Sequence, residues 1–282
     1  MGYGDDLLIT SLASKIKKKY PDRQIVIGIA KKNVAYHSPI YDNNPNISDC
    51  RNLDNNKPVH LIDFHQFNRP YIDYEKSTED KQVFRKFKPI PGEIYFSEKE
   101  LSKGNKIIDD AIKYWSKQKT KKYKSIIFLE TSSTKIDNEQ FSIKHFNKDW
   151  GYSNWKKLVD KIKNEYLIIQ IVHEKTKIIE GIYHTKKMSF RIACAVLNGA
   201  DMYVGPEGGF GHVAAALKKQ AVIYFGGWNS PNDIGYDGHH HVYFENQLSP
   251  CGELKKICQH CNEAREKISV EHFLKYIKKI SL

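Results

Sequence analysis

Residues 202–225 read MYVGPEGGFGHVAAALKKQAVIYF, and this stretch decides the fold. Met202 to Val204 is a short apolar strand, Gly205 to Gly211 a glycine-rich turn, His212 to Lys218 a small-residue helix and Ala221 to Phe225 a second strand. Strand, turn, helix and strand in that order make the unit of a parallel sheet flanked by helices. Four glycines in the turn let the backbone approach a ligand closely, and the exposed N–H groups where the helix begins make an anion site. Open α/β sheets take their ligands at such turns, beyond the carboxyl ends of the strands. The plainer reading is a tight turn that needs glycine only for positive φ. The clustering, with Ala214-Ala215-Ala216 allowing close helix packing, favours phosphate binding.

The same alternation extends outward. Strand Ser125 to Glu130 precedes a Ser/Thr loop, helix Asn154 to Lys163 precedes strand Tyr166 to Val172, and helix Ser189 to Asn198 leads into Met202. A terminal helix, Val270 to Ile280, carries Phe273, Ile277 and Ile280 to pack back on the body. In the first half, helix Asp6 to Lys19 places Leu8, Leu12 and Ile16 on one face. Strands Gln24 to Ala30 and Pro58 to Phe64 follow, then the strand-like run Glu93 to Phe96 and a helix around Gly104 to Gln118. Lys117 to Lys124 reads as a solvated connector. Two α/β domains are therefore expected, residues 1–118 and 119–282. A doubly wound first domain wants a central strand before its first glycine turn, yet Gly2-Tyr3-Gly4 follows Met1 directly. Either the first sheet lacks that strand or a start upstream of Met1 was missed; the missed start is favoured.

Composition narrows the class. A chain of 282 residues with 40% hydrophobic residues can build real cores, and 5 cysteines are too sparse for a disulfide scaffold. No apolar run approaches the ~20 residues of a membrane span, and no basic segment precedes a hydrophobic stretch at the start. A cytoplasmic location is expected. The net charge of +12 suits phosphorylated substrates or peripheral association with an anionic membrane surface, such as the inner membrane face. No nucleic acid partner is expected, because an RNP-like motif and zinc-finger spacing are both missing. The GxxxxGK[ST], HExxH and GxSxG motifs are also missing. Without an Asp-x-Asp pair, a diphosphate would be held by helix dipoles and cations instead of a carboxylate-bound metal.

Individual residues are ambiguous on local pattern alone. Asp5, in Gly2-Tyr3-Gly4-Asp5-Asp6-Leu7, reads first as a helix N-cap. Lys148, in Asn147-Lys148-Asp149-Trp150, can neutralise a diphosphate or be a surface lysine beside core tryptophans. Thr131, Ser132, Ser133 and Thr134 follow a strand and either donate to phosphate oxygens or form a hydroxyl-rich turn. Cys251, Cys258 and Cys261, with His260 and His272 nearby, fall short of the two close pairs of a structural zinc site, so free or packing cysteines are expected. His239-His240-His241 reads as a surface feature entering a strand.

GYGDDLLITSLASKIKKKYP (2–21), NKDWGYSNWKKLVDKI (147–162) and ADMYVGPEGGFGHVAAALKKQAVIYFGG (200–227), then Ser230-Pro231, GYDGH (235–239) and KISVEHFLKYI (267–277), together form a pattern. It resembles the heptosyltransferase-like glycosyltransferases, the ADP-heptose:lipopolysaccharide heptosyltransferase family. The resemblance implies an α/β chain of GT-B fold, with two Rossmann-like domains facing each other across a cleft. It implies inverting transfer of heptose or a related sugar from a nucleotide-diphosphate donor to a glycan or lipopolysaccharide-type acceptor, with no cofactor and no catalytic metal. Asp5 matches the family's proposed general base and Lys148 its phosphate-binding lysine. Glu207, Gly208 and Gly209 fall over an Asp-Thr-Gly segment, and His212 over its closing His. Backbone N–H groups there would hold the diphosphate while Glu207 contacts donor hydroxyls. Glu for Asp and Gly for Thr are departures that bear on the donor's identity. The alternative is a catalytically inactive sugar-nucleotide or glycan-binding module of the same fold.

Overall fold

Five apolar runs, 24–28, 126–129, 167–170, 202–206 and 221–224, are buried on both faces, and burial on both faces is what makes a strand central in a parallel sheet. A computed structural model describes residues 2–131, 143–173, 176–244 and 250–281. In chain order its elements begin with α1 (Tyr3–Lys19), β1 (Gln24–Ile29), β2 (Val34–Ala35), β3 (Val59–Asp63) and α2 (Glu98–Gln118). Next come β4 (Ile126–Leu129), α3 (Ile143–Lys148), α4 (Tyr152–Ile162), β5 (Leu167–Gln170), β6 (Tyr183–His184) and α5 (Phe190–Gly199). The chain ends with β7 (Met202–Pro206), α6 (Gly209–Ala216), β8 (Gln220–Tyr224), α7 (Pro231–Ile234), β9 (His240–Val242), α8 (Gln259–Lys267) and α9 (Val270–Ile280).

The larger sheet has the order β6-β5-β4-β7-β8-β9, and every neighbouring pair is parallel. This is the strand order of a dinucleotide-binding fold. The winding reverses between β4 and β7, so loops leaving their carboxyl ends diverge and open a crevice. The smaller sheet has the order β2-β1-β3, with β1 and β3 parallel and β2 folded back antiparallel. Between β3 and α2 the chain runs without a helix or a named strand. Glu93 to Phe96 is therefore not a strand: the Glu93 amide donates to the Thr10 hydroxyl on α1 at 2.7 Å, so its partner is a helix side chain and not a sheet edge.

The buried face of α1 also differs from the Leu8-Leu12-Ile16 row. Leu12 is 42% exposed, whereas Leu7, Leu8, Ile9 and Ala13 are buried together with Asp6, Thr10 and Ser14. Buried polar side chains are tolerated when bonded. Asp6 accepts from the Ser38 hydroxyl at 2.7 Å and from the Tyr41 hydroxyl at 3.3 Å, and Thr10 donates to the Leu7 carbonyl at 2.7 Å. Burial raises the Asp6 pKa above the usual carboxylate value, against those hydrogen bonds.

α2 lies across the larger sheet against α5, and the approach requires glycine. A Cβ on Gly104 would sit 2.7 Å from the Ala195 backbone carbon. An ion pair locks the same joint. Arg191 on α5 donates from Nε and Nη2 to Glu100 on α2 at 2.5 and 2.8 Å, from Nη1 to the Pro39 carbonyl at 2.9 Å, and from Nη2 to the Tyr95 carbonyl at 2.5 Å. The Arg191 hydrogen bond holds the Glu100 carboxyl at about 2, below its ordinary 4.5. A depressed folded-state pKa contributes stability that is present above the unfolded value and lost as pH falls toward the folded one. Glu100→Gln should cost about 2 kcal/mol at neutral pH by denaturant unfolding, since a charged hydrogen-bond partner of buried Arg191 is removed. The gap between the two proteins should narrow as pH drops below about 4.5. A gap unchanged with pH would count against the ion pair.

Candidate active site

The glycine turn beyond β7 folds as its composition requires. Gly208 is the N-cap of α6, and the first amides of a helix have no intrahelical acceptor, so Gly209 and Phe210 present N–H groups outward. Phe210 anchors the turn from below, in ring contact with Phe128 at 4.9 Å and Phe190 at 4.8 Å. The amino end of α1 abuts the same turn. A Cβ on Gly4 would lie 2.8 Å from His212 Cδ2 and 3.2 Å from Gly209 Cα, so a side chain there would force the two helix starts apart. Both helix dipoles thus point their positive ends toward one place.

That place is a crevice of about 270 Å³ lined by Gly2, Gly4, Asp5, Arg69, Tyr71, Gln82, Lys148, Glu207, Gly208, Gly209, His212, Trp228, Asn229 and Ile234. Six of the sequence candidates, Asp5, Lys148, Glu207, Gly208, Gly209 and His212, meet in it. Asp5 is not an N-cap: Gly2 holds that position, without a side-chain cap. Its carboxylate instead accepts from the Tyr71 hydroxyl at 2.5 Å and lies 3.1 Å from Arg69 Nε, with 12% of the side chain exposed. Burial and the Asp5 charge push the Tyr71 hydroxyl well above its usual pKa, so it stays a donor.

Across the crevice, the Lys148 ammonium pairs with the Glu207 carboxylate and sits 4.4 Å from the Trp228 ring centroid. Both partners are largely buried, which favours a tight pair over two solvated charges. Lys148 reaches this position because Gly226 leaves room: a Cβ there would lie 2.7 Å from the Asn147 carbonyl and 3.1 Å from Lys148 Cα. His212 is buried, with Nδ1 bonded to the Tyr236 hydroxyl at 2.7 Å, and burial lowers its pKa despite the nearby Asp5 and Glu207 charges. It is neutral at pH 7 and orients the turn.

Thr131 stands apart. Its hydroxyl is buried beyond β4 and accepts from the Gln170 amide at 3.2 Å, and it does not line the crevice. Ser132, Ser133 and Thr134 lie outside the described residues. Arg69, Tyr71 and Trp228 went unnoticed in the sequence. The first two sit in an aperiodic stretch whose Asn68 and Pro70 signal only loop, and they meet Asp5 through the tertiary fold alone. Away from the crevice, the ligand atoms of Cys251, Cys258 and Cys261 converge within 4.8 Å of one another, closer than their spacing suggests.

Residues 140–262 match the model of glycosyltransferase family 9 (heptosyltransferase), a span that holds Lys148 and the glycine turn. Lipopolysaccharide heptosyltransferase 1 of Salmonella typhimurium is 27% identical over 121 residues, which are 39% of this chain and 36% of that protein. The structure of a family 9 glycosyl transferase from Veillonella parvula overlays with a TM-score of 0.60 at 13% identity, covering 100% of this chain and 94% of that one. The E. coli ADP-heptose lps heptosyltransferase II gives 0.45 at 14% identity, over 67% of this chain and 53% of that one. The chain thus spans about a third of its curated relative and about half of the E. coli structure. Its fold is α/β of the GT-B class. Its carboxy-terminal part, residues 140–262, is similar to the heptosyltransferase family.

Gly4→Ala tests the abutment of the two helix starts. Overpacking costs about 1–3 kcal/mol and outweighs the gain of up to about 1 kcal/mol from alanine's helix propensity. Thermal unfolding should show a lower Tm; a higher one would mean that the helices do not touch there.

Proposed function

We propose that the chain is an inverting glycosyltransferase that moves heptose or a related sugar from a nucleotide-diphosphate donor to a glycan or lipopolysaccharide-type acceptor. The observation that carries this reading is the shared crevice, in which a carboxylate from the α1 start faces an ammonium and the open amides of α6. The domain division we propose is a first lobe of residues 1–118 and a second of 119–282, with α2 lying over the second sheet.

In the proposed reaction the acceptor hydroxyl oxygen bonds to the anomeric carbon from the side opposite the diphosphate. The bond from that carbon to the phosphate oxygen breaks, and the nucleoside diphosphate leaves with the electron pair. Asp5 takes the hydroxyl proton. Held in place by Arg69 and Tyr71, it can accept that proton when bond breaking runs ahead of attack and the hydroxyl turns acidic late. Lys148 and the Gly208, Gly209 and Phe210 amides neutralise the charge that grows on the departing diphosphate, a task done elsewhere by a metal. Glu207 then exchanges its lysine for donor hydroxyls. The +12 charge supports docking at an anionic membrane face, where a lipid-linked acceptor would be presented. No described helix is long and apolar enough to cross a membrane.

Asp5→Asn should lower kcat by about 10²- to 10⁴-fold while the donor Kd stays within about twofold, because the lost interaction belongs to the transition state. Near-normal turnover would refute the base assignment. Lys148→Ala should weaken nucleoside-diphosphate binding at least about tenfold by calorimetry, from the loss of about 1.5–3 kcal/mol of charge-assisted hydrogen bonding. If wild type binds donor yet neither transfers nor slowly hydrolyses it, the chain is the inactive binding module instead.

A further inference from the structure

The three thiols outside the crevice are arranged as ligands. Cys258 is the N-cap of α8, Cys261 sits in its first turn, and Cys251 comes from the preceding loop, with its amide donating to the Gly227 carbonyl at 2.9 Å. All three are free cysteines, Cys251 and Cys261 are buried, and Cys258 is half-buried. Their ligand atoms lie within 4.8 Å of one another, with Cys251 Sγ and Cys261 Sγ at 3.3 Å. Three sulfurs about 2.3 Å from one tetrahedral ion would be about 3.8 Å apart, so the triangle needs only small side-chain rotations. His260, between Cys258 and Cys261 in the chain, offers a fourth ligand. Its Nε2 and Cys261 Sγ lie 2.6 and 3.7 Å from one point, the place a Cβ on Gly227 would occupy.

We propose that Cys251, Cys258 and Cys261 bind one tetrahedral thiophilic divalent ion, zinc or ferrous iron, with the fourth position taken by His260 or water. The ion staples the loop of Cys251 to α8, and its reach extends to the crevice. Asn147, next to Lys148, donates from Nδ2 to the Glu253 and Lys256 carbonyls at 3.3 and 3.1 Å and accepts from the Cys258 amide at 3.0 Å. Trp228, whose ring lies by the Lys148 ammonium, donates from Nε1 to the same Glu253 carbonyl at 3.0 Å. Both neighbours of Lys148 therefore hang from the stapled loop, and the ion positions the lysine that the proposed transfer uses. This last step rests on the transferase reading; the ion site itself does not.

The test is elemental analysis of the full chain, purified without chelator or metal-affinity steps, with anaerobic cobalt(II) titration of the stripped protein. About one equivalent of zinc or iron per chain is expected, together with thiolate-to-cobalt absorption. Cys258→Ser and Cys261→Ser should lose the metal, while Cys50→Ser keeps it. A metal-free wild type without cobalt absorption, or a Cys251–Cys261 disulfide in freshly isolated protein, overturns the site. The cobalt titration decides this even if the serine variants fail to fold. Metal removal should weaken ADP binding about 10- to 100-fold, the size expected when a supporting shell is lost. Unchanged affinity overturns the positioning role. A wild type that holds the ion but binds no nucleoside diphosphate refutes the transferase reading and leaves the ion site standing.

Discussion

The close approach of Gly4 to Gly209 sets the rest of the structure in order. Where these glycines meet, the amino ends of α1 and α6 come together without side chains between them, and the orphan amides and dipoles of both helices are directed into one crevice. A field of that sign attracts negative groups. The chain's own carboxylates take up the position, Asp5 from one side and Glu207 from the other, each beside a cation, Arg69 or Lys148. An anionic ligand that enters competes for those cations, and the two ion pairs keep the crevice charged and polar until it does.

Scaffold features around the crevice serve this approach. Reversal of the winding between β4 and β7 leaves the glycine turn at an open edge, and Phe210 wedged among Phe128 and Phe190 fixes its height. The Arg191–Glu100 pair, with the Pro39 and Tyr95 carbonyls on the same guanidinium, ties the chain before α2 to α5. Gly226 admits the Asn147-Lys148 backbone. Each contact joins segments distant in sequence, so the geometry at Asp5 and Lys148 depends on tertiary packing more than on local propensity.

Much of the larger sheet was legible because its strands are continuous apolar runs separated by amphipathic helices. Val270–Ile280 is the helix its periodicity predicts. Elements without an apolar signature are harder to read: α8 is mostly polar and has no signal in the sequence, whereas the strand entered at His239-His240-His241 is β9 at a sheet edge. Hydrophobic periodicity does not reveal the α1 face, because Asp6, Thr10 and Ser14 are buried on it, the first two satisfied by hydrogen bonds. In the crevice, glycine spacing revealed the α6 turn, whereas Asp5 looked like an ordinary cap. Only Arg69 and Tyr71, brought from a stretch of no periodicity, give its carboxylate another use. The cysteines likewise gain meaning from Asn147, more than 100 residues away in sequence.

A crystal structure of the chain with ADP bound would bear on all of this most directly. The pyrophosphate should lie within hydrogen-bond distance of Lys148 Nζ and of the Gly208 and Gly209 amides, on the side of the crevice facing Asp5. Density for ADP elsewhere on the protein, with the crevice between α1 and α6 holding only solvent, would contradict it.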